Sequence, residues 1–109
     1  MAQDFTRYIA RATGTSGATI FTSNSDDVII SVRLTNILST TITADVFVTV
    51  SSANYYLAKT ISIPAGSSIE LIDGGSRIVL VSGDALKVDC SDDSALDVWV
   101  SVVLRMFSL

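Results

Sequence analysis

Apolar and polar residues alternate one by one over most of this chain, a period of two that an extended strand with one buried face satisfies and a helix does not. The clearest run comes last. From Ala95 to Phe107 one face carries Leu96, Val98, Val100, Val102, Leu104 and Met106, and the other carries Ala95, Asp97, Trp99, Ser101, Val103, Arg105 and Phe107. At ~3.3 Å per residue this is a strand of roughly 40 Å, beyond the usual length. Thr41 to Val50 repeats the pattern, with Ile42, Ala44, Val46, Val48 and Val50 opposite Thr41, Thr43, Asp45, Phe47 and Thr49. Threonine on the polar side suits a pleated surface because its branched carbon packs there.

Further strands are predicted between and before these. Val28, Ile30, Val32 and Leu34 are expected to share a face, opposite Ile29, Ser31, Arg33 and Thr35; Tyr55, Leu57, Ile61 and Ile63 are expected to share another, with Lys59 as the exception. Shorter runs at Ser68 to Ile72, Arg77 to Val81, Ala85 to Cys90, Phe5 to Arg11 and Ala18 to Phe21 bring the total to about nine. The joints carry turn residues, among them Asn24 to Asp27, Ser51 to Asn54, Pro64 to Gly66 and Ser82 to Asp84, and Asp73 followed by Gly74 and Gly75 fits a tight hairpin. No run has sustained helical spacing, so the crossover helices that parallel strands need are missing. The predicted fold is an all-β antiparallel sandwich, jelly-roll or immunoglobulin-like, formed by residues 1–109 as a single domain.

Composition narrows the chemistry. Only 17% of the 109 residues are charged, against roughly a quarter in an average soluble domain, so the surface is uncharged polar or covered by partners. A net charge of -4 removes the cationic footprint of a nucleic-acid binder. There is no histidine, hence no common general base or metal ligand, and no partner for a serine or cysteine nucleophile. We expect no enzymatic activity, no cofactor and no metal. The lone cysteine, Cys90, permits no internal disulfide and falls in register with Leu86 and Val88, which reads as a small core residue. No long apolar segment or leader-like start is present, and nine short strands fit a membrane barrel poorly; the expectation is a chain made in the cytoplasm, with no membrane contact.

Two ligand classes keep some support. Asp26-Asp27, and Asp89 with Asp92-Asp93, offer hard oxygen ligands to a cation, although without the spacing of a dedicated calcium loop. Tyr55-Tyr56 beside Asn54, and Asp97 near Trp99, offer stacking and hydrogen-bonding groups to a sugar, with one of the adjacent tyrosines expected in the core. The stronger signal is the second face of the last strand. Trp99, Val103 and Phe107 leave large apolar groups in water unless something covers them, either neighbouring side chains of the same domain or a partner subunit, and Arg105 among them is placed to pair with a partner's carboxylate.

The order and spacing of several segments resemble those of small virion structural proteins of tailed bacteriophages, particularly phages of marine bacteria. The segments are Met1 to Arg11 (MAQDFTRYIAR), the Thr41 to Val50 strand, Ile63-Pro64-Ala65-Gly66 with Ser67-Ser68, Gly83 to Val88, and Asp97-Val98-Trp99-Val100-Ser101-Val102. The resemblance implies a non-enzymatic part of the particle: a decoration or cement protein that bridges capsid subunits, present as a homo-oligomer such as a trimer, with the major capsid protein as partner. A neck, collar or tail component is the alternative within the particle, and a carbohydrate- or host-surface-binding module the alternative outside that class. The chain departs from those proteins at its end, where Leu104 to Leu109 continues past the valine-serine strand.

Overall fold

The computed structural model describes residues 3–15, 17–23, 26–72 and 77–105. Nine strands are formed by these: β1 (Gln3–Thr13), β2 (Ala18–Thr22), β3 (Asp27–Asn36), β4 (Ile42–Val50), β5 (Ala53–Ile63), β6 (Ser68–Glu70), β7 (Ile78–Leu80), β8 (Ala85–Cys90) and β9 (Leu96–Arg105). One sheet runs β1-β9-β3-β6 with β7 also on β3; the other runs β2-β8-β4-β5. Every pairing is antiparallel.

The pairings are nested. β4 and β5 make the innermost hairpin, β3 pairs with β6 and β7, β2 with β8, and β1 with β9. A long double strand has in effect been rolled over until β9 lies between β1 and β3, and β8 between β2 and β4. This is jelly-roll connectivity rather than immunoglobulin-like. β6 and β7 sit on successive stretches of β3, opposite Arg33–Thr35 and Asp27–Ile29, so together they take the place of one interrupted strand.

The core lies between the sheets, as the alternation requires. Leu96, Val98, Val100 and Val102 from β9 meet Ile42, Ala44, Val46 and Val48 from β4 and Leu86, Val88 and Cys90 from β8, all buried. Tyr8 of β1 stacks on Phe21 of β2, rings parallel with centroids 4.2 Å apart, and so ties the two sheets together at one margin.

Two predicted faces are corrected by bulges. In β3 the register slips between Ile29 and Ser31, so Ile30 is an extra residue. Ile29 therefore turns into the core beside Val102, while Val28 faces outward opposite Val103. In β5 the register slips twice, at Leu57 and at Lys59-Thr60. Tyr55, Ala58, Ile61 and Ile63 stand opposite the inward residues Val48, Val46, Ala44 and Ile42, and this is why Lys59 breaks the simple alternation without entering the core. Thr60 takes a left-handed φ of 55° there, and its N–H donates to Asp45 Oδ1 at 2.6 Å. The aspartate on β4 thus fills the hydrogen-bonding gap that the bulge opens.

Asn36 closes the end of β3. It is fully buried; its Nδ2 donates to the carbonyls of Thr40 (2.7 Å), Ile63 (3.0 Å) and Pro64 (3.2 Å), and its Oδ1 accepts from Leu38 N–H (2.9 Å). One side chain thereby joins three backbone segments. The next turn is built by Pro64 to Ser67: Ser67 N–H donates to Pro64 O at 3.1 Å, and Gly66 holds φ at 68° where a side chain would be strained. The Gly74-Gly75 hairpin and Phe107 lie outside the described residues.

Candidate functional site

The outward face of the five-stranded sheet is where the sequence placed its unexplained apolar residues. Register alone arranges them in rows. Phe5, Val103, Val28 and Val79 form one row across β1, β9, β3 and β7; Arg7, Ser101 and Ser31 form the next; Ile9, Trp99, Arg33 and Glu70 form a third. Large apolar side chains stay open to water: Phe5 is 72% exposed, Val79 62%, Ile9 54%, Val81 51% and Trp99 48%. A half-buried sheet normally keeps threonine and charge on such a face, and this one departs from that pattern.

Cations interleave the apolar groups. The Arg7 guanidinium lies 5.0 Å over the Trp99 ring, which covers part of the indole from within the domain and leaves the rest free. Arg33 approaches Glu70 at 3.8 Å. Glu70 is held by other bonds as well, because Ser31 Oγ donates to its Oε1 (2.7 Å) and Val32 N–H to its Oε2 (2.9 Å), beside the β3 bulge. An open groove of about 770 Å³ beside Trp99 is lined by Ile9, Arg11, Arg33, Thr35, Asp97 and Trp99.

Of the predicted contact residues, Trp99 and Val103 are on this face, Val103 half-buried in the Phe5 row. Arg105 is the last residue of β9, opposite Gln3; Phe107 lies outside the described residues. Sequence reasoning missed Phe5, Ile9, Val79 and Val81. Phe5 and Ile9 were legible in principle, since they alternate with Arg7 and Arg11 on one side of β1.

The other candidate groups are dispersed. Neither tyrosine of Tyr55-Tyr56 is in the core: both are exposed, Tyr55 because it stands at the far end of the edge strand β5, and Tyr56 because it faces outward, its ring 5.0 Å from Phe47 with Lys59 Nζ 4.8 Å from it. The Asn54 side chain accepts from Thr49 Oγ1 instead of framing a site. Asp27 is buried at the start of β3 with Oδ1 unpartnered, whereas Asp26 is exposed. Asp93 accepts from Thr15 Oγ1, and Asp92 from Ser91 Oγ. Among the described residues no three acids or thiols come together to hold a metal. Cys90 is buried, and its Sγ donates to the carbonyls of Thr13 (3.3 Å) and Asp92 (3.1 Å); burial pushes the thiol above its usual range.

One pair of carboxylates is close. Asp45 and Asp89 face each other across β4 and β8 on the outward side of the four-stranded sheet. Burial raises the Asp89 carboxyl and the neighbouring Asp45 charge raises it further. For Asp45 the same burial is outweighed by the Thr60 N–H and by Lys59, 3.4 Å away, which hold it low. No helix is formed among the described residues, and none is long and apolar enough to cross a membrane.

No family model matches the chain, and no curated protein matches it. Two solved structures share its fold. A chain of Bacillus endospore appendages, a family of disulfide-linked pili, superposes with a TM-score of 0.56 at 16% identity, over 97% of this chain and 88% of that one. A chain of the T13 IBDV viral particle superposes with a TM-score of 0.55 at 11% identity, over 94% of this chain but 31% of its own length. Such identities establish common architecture only, and both of these proteins are parts of assemblies.

Proposed function

We propose that this chain is a non-enzymatic structural component of a virion, a decoration or cement protein that binds neighbouring subunits, the major capsid protein among them, through the outward face of its five-stranded sheet. The observation that carries the reading is the exposed row-by-row cluster of Phe5, Ile9, Val79 and Trp99, interleaved with Arg7 and Arg33. Aromatic and arginine side chains on a stiff sheet dominate protein contacts because they bury much area and lose little freedom. The fold likeness to a viral-particle chain and the resemblance of the sequence to phage virion proteins support the same role by analogy. The likeness to pilus chains supports assembly, but not their linkage: a fibre joined by disulfides needs two thiols per subunit, and this sequence has one, which is buried. A neck or tail position uses the same surface and is separated by locating the chain on the particle.

The test is substitution on the exposed face. Trp99→Ser combined with Phe5→Ser should leave the melting temperature within a few degrees, since both rings are largely outside the core, and should remove the protein from purified particles. Retention on particles at full stoichiometry would overturn the reading. A second reading, an acidic-sugar site, is favoured only by the groove in which Trp99 meets Arg11, Arg33 and Asp97. It predicts glycan binding by the isolated chain that Trp99→Ser abolishes.

A further inference from the structure

Among the described residues the buried polar or charged ones are Thr13, Ser23, Asp27, Asn36 and Asp84. Ser23, Asp27 and Asp84 gather at one end of the sandwich, where β2 and β7 finish and β3 and β8 begin. Backbone bonds hold them there. Ser23 N–H donates to Asp84 O and Gly83 N–H to Ser23 O, both at 2.8 Å, which ties the end of β2 to the turn before β8. In that turn Asp84 N–H donates to Val81 O and Val81 N–H to Asp84 Oδ2, each at 3.0 Å, so the side chain is fixed with one of its two oxygens in use. Asp27 stands opposite Leu80, the residue before Val81. It lies on the same side of β3 as the core residue Ile29, so its carboxylate projects inward between the sheets beside this turn. Only 1% of Asp27 is exposed, and its Oδ1 is buried with no hydrogen-bond partner. Neither Asp27 nor Asp84 forms an ion pair with a described lysine or arginine. A carboxylate in that position is costly unless something else completes it, and a bound ion is one of the few groups that can.

We propose that Asp27 and Asp84 bind a calcium ion at this end of the sandwich, where it joins the start of β3 to the turn before β8. The inference goes beyond the proposed function, does not rest on it, and reverses the expectation of no metal drawn from the sequence. The ion follows from charge and donor type. Two carboxylates without a cationic side chain leave two negative charges, which a divalent cation cancels. Carboxylates and turn carbonyls are hard oxygen donors, which suit calcium or magnesium rather than the transition metals that take imidazole or thiolate. Magnesium demands near-octahedral geometry and keeps several waters, which suits poorly a carboxylate so nearly closed to solvent. Calcium accepts roughly six to eight oxygens in loose geometry, backbone carbonyls of irregular turns among them. Two acids are enough for such a site, because each carbonyl of the turn keeps a second lone pair beyond its hydrogen bond and water can fill the remaining positions.

Calcium binding by the purified full chain is the test. With only two carboxylates the expected dissociation constant is about 0.1–1 mM, so about 10 mM calcium chloride should raise the melting temperature by roughly 5–10 °C over chelator at equal ionic strength, and magnesium chloride by much less. Equilibrium dialysis against radioactive calcium should saturate at one ion per chain. Asp27→Asn should abolish the thermal shift. Asp84→Asn, which keeps an acceptor for Val81 N–H, should weaken binding about tenfold, and it carries the test if the first variant does not fold. Asp93→Asn, at an exposed acid between β8 and β9, should retain the full response. No calcium shift in the parent, an equal shift with magnesium, or a shift that survives unchanged in Asp27→Asn or Asp84→Asn would overturn the proposal. So would its loss in Asp93→Asn, which would mark a general effect of surface charge.

Discussion

Asn36 shows how one polar side chain can hold several backbone segments. Its amide donates to the carbonyls of Thr40, Ile63 and Pro64, of which the Ile63 carbonyl is bonded in a buried position. Asn36→Ala should therefore cost about 2–4 kcal/mol in denaturant unfolding, more than a lost surface bond, because several bonds are lost together and the buried Ile63 carbonyl stays behind unsatisfied. Asp89 makes the contrary case, a charge that works against the fold. Its carboxyl is raised, so protonation favours the folded state and stability is gained as pH falls through that raised value. Asp45 is lowered, so its contribution is present at neutral pH and lost only below the ordinary carboxylate range. Asp89→Asn should raise the melting temperature at pH 7, by an amount typical of a cross-strand like-charge pair, ~0.2–1 kcal/mol, and the gain should shrink on acidification. A larger gain at acid pH than at neutral pH would show that the Asp45 charge is not its cause.

Among the elements, the β4-β5 hairpin carries backbone strain that a better turn sequence would remove. Ser51 and Ser52 both have positive φ, 50° and 70°, the geometry of a two-residue type I′ turn that asparagine and glycine adopt with less strain. Ser51→Asn with Ser52→Gly should stabilise the protein by about 1 kcal/mol, a rise of several degrees in Tm for a domain of this size. No gain in thermal scans would mean that the serine hydroxyls compensate the strain. The bulges in β3 and β5 also act at this scale, because one added residue sends every later side chain to the opposite face. In β3 this takes Ile29 inward and releases Val28 to the outward face of the five-stranded sheet.

At the scale of the whole molecule, nesting joins the two ends of the chain: Gln3 pairs with Arg105, and Thr13 with Leu96. Such long-range pairings close large loops before they yield contacts, so folding on a millisecond-to-second timescale is expected. Cys90 gives a probe of the assembled state, since its thiol lies between segments far apart in the chain, bonded to Thr13 and Asp92 carbonyls. Its reaction with a thiol reagent at pH 8 should require global unfolding, with a rate that rises with denaturant in parallel with the unfolding rate. Fast labelling of the native protein would reveal that the β8 end opens locally.

The strand content, the antiparallel sandwich, the inward side of β9 and β4 and the core place of Cys90 were legible in the sequence, because alternation is a local pattern and burial follows from it. Trp99 was legible as a residue needing cover for the same reason. What the residues did not declare was non-local: which strands would neighbour one another, that β1 would be left as a long open edge, and that Phe5, Val28, Val79 and Trp99 from four strands would meet on one face. Those outcomes depend on register, and a bulge resets register according to what lies on the adjacent strand, such as Asp45 opposite Lys59-Thr60. Period two therefore determined that sheets would form and which side chains sought the interior, while pairing between distant segments decided which side chains were gathered on the surface that remained outside.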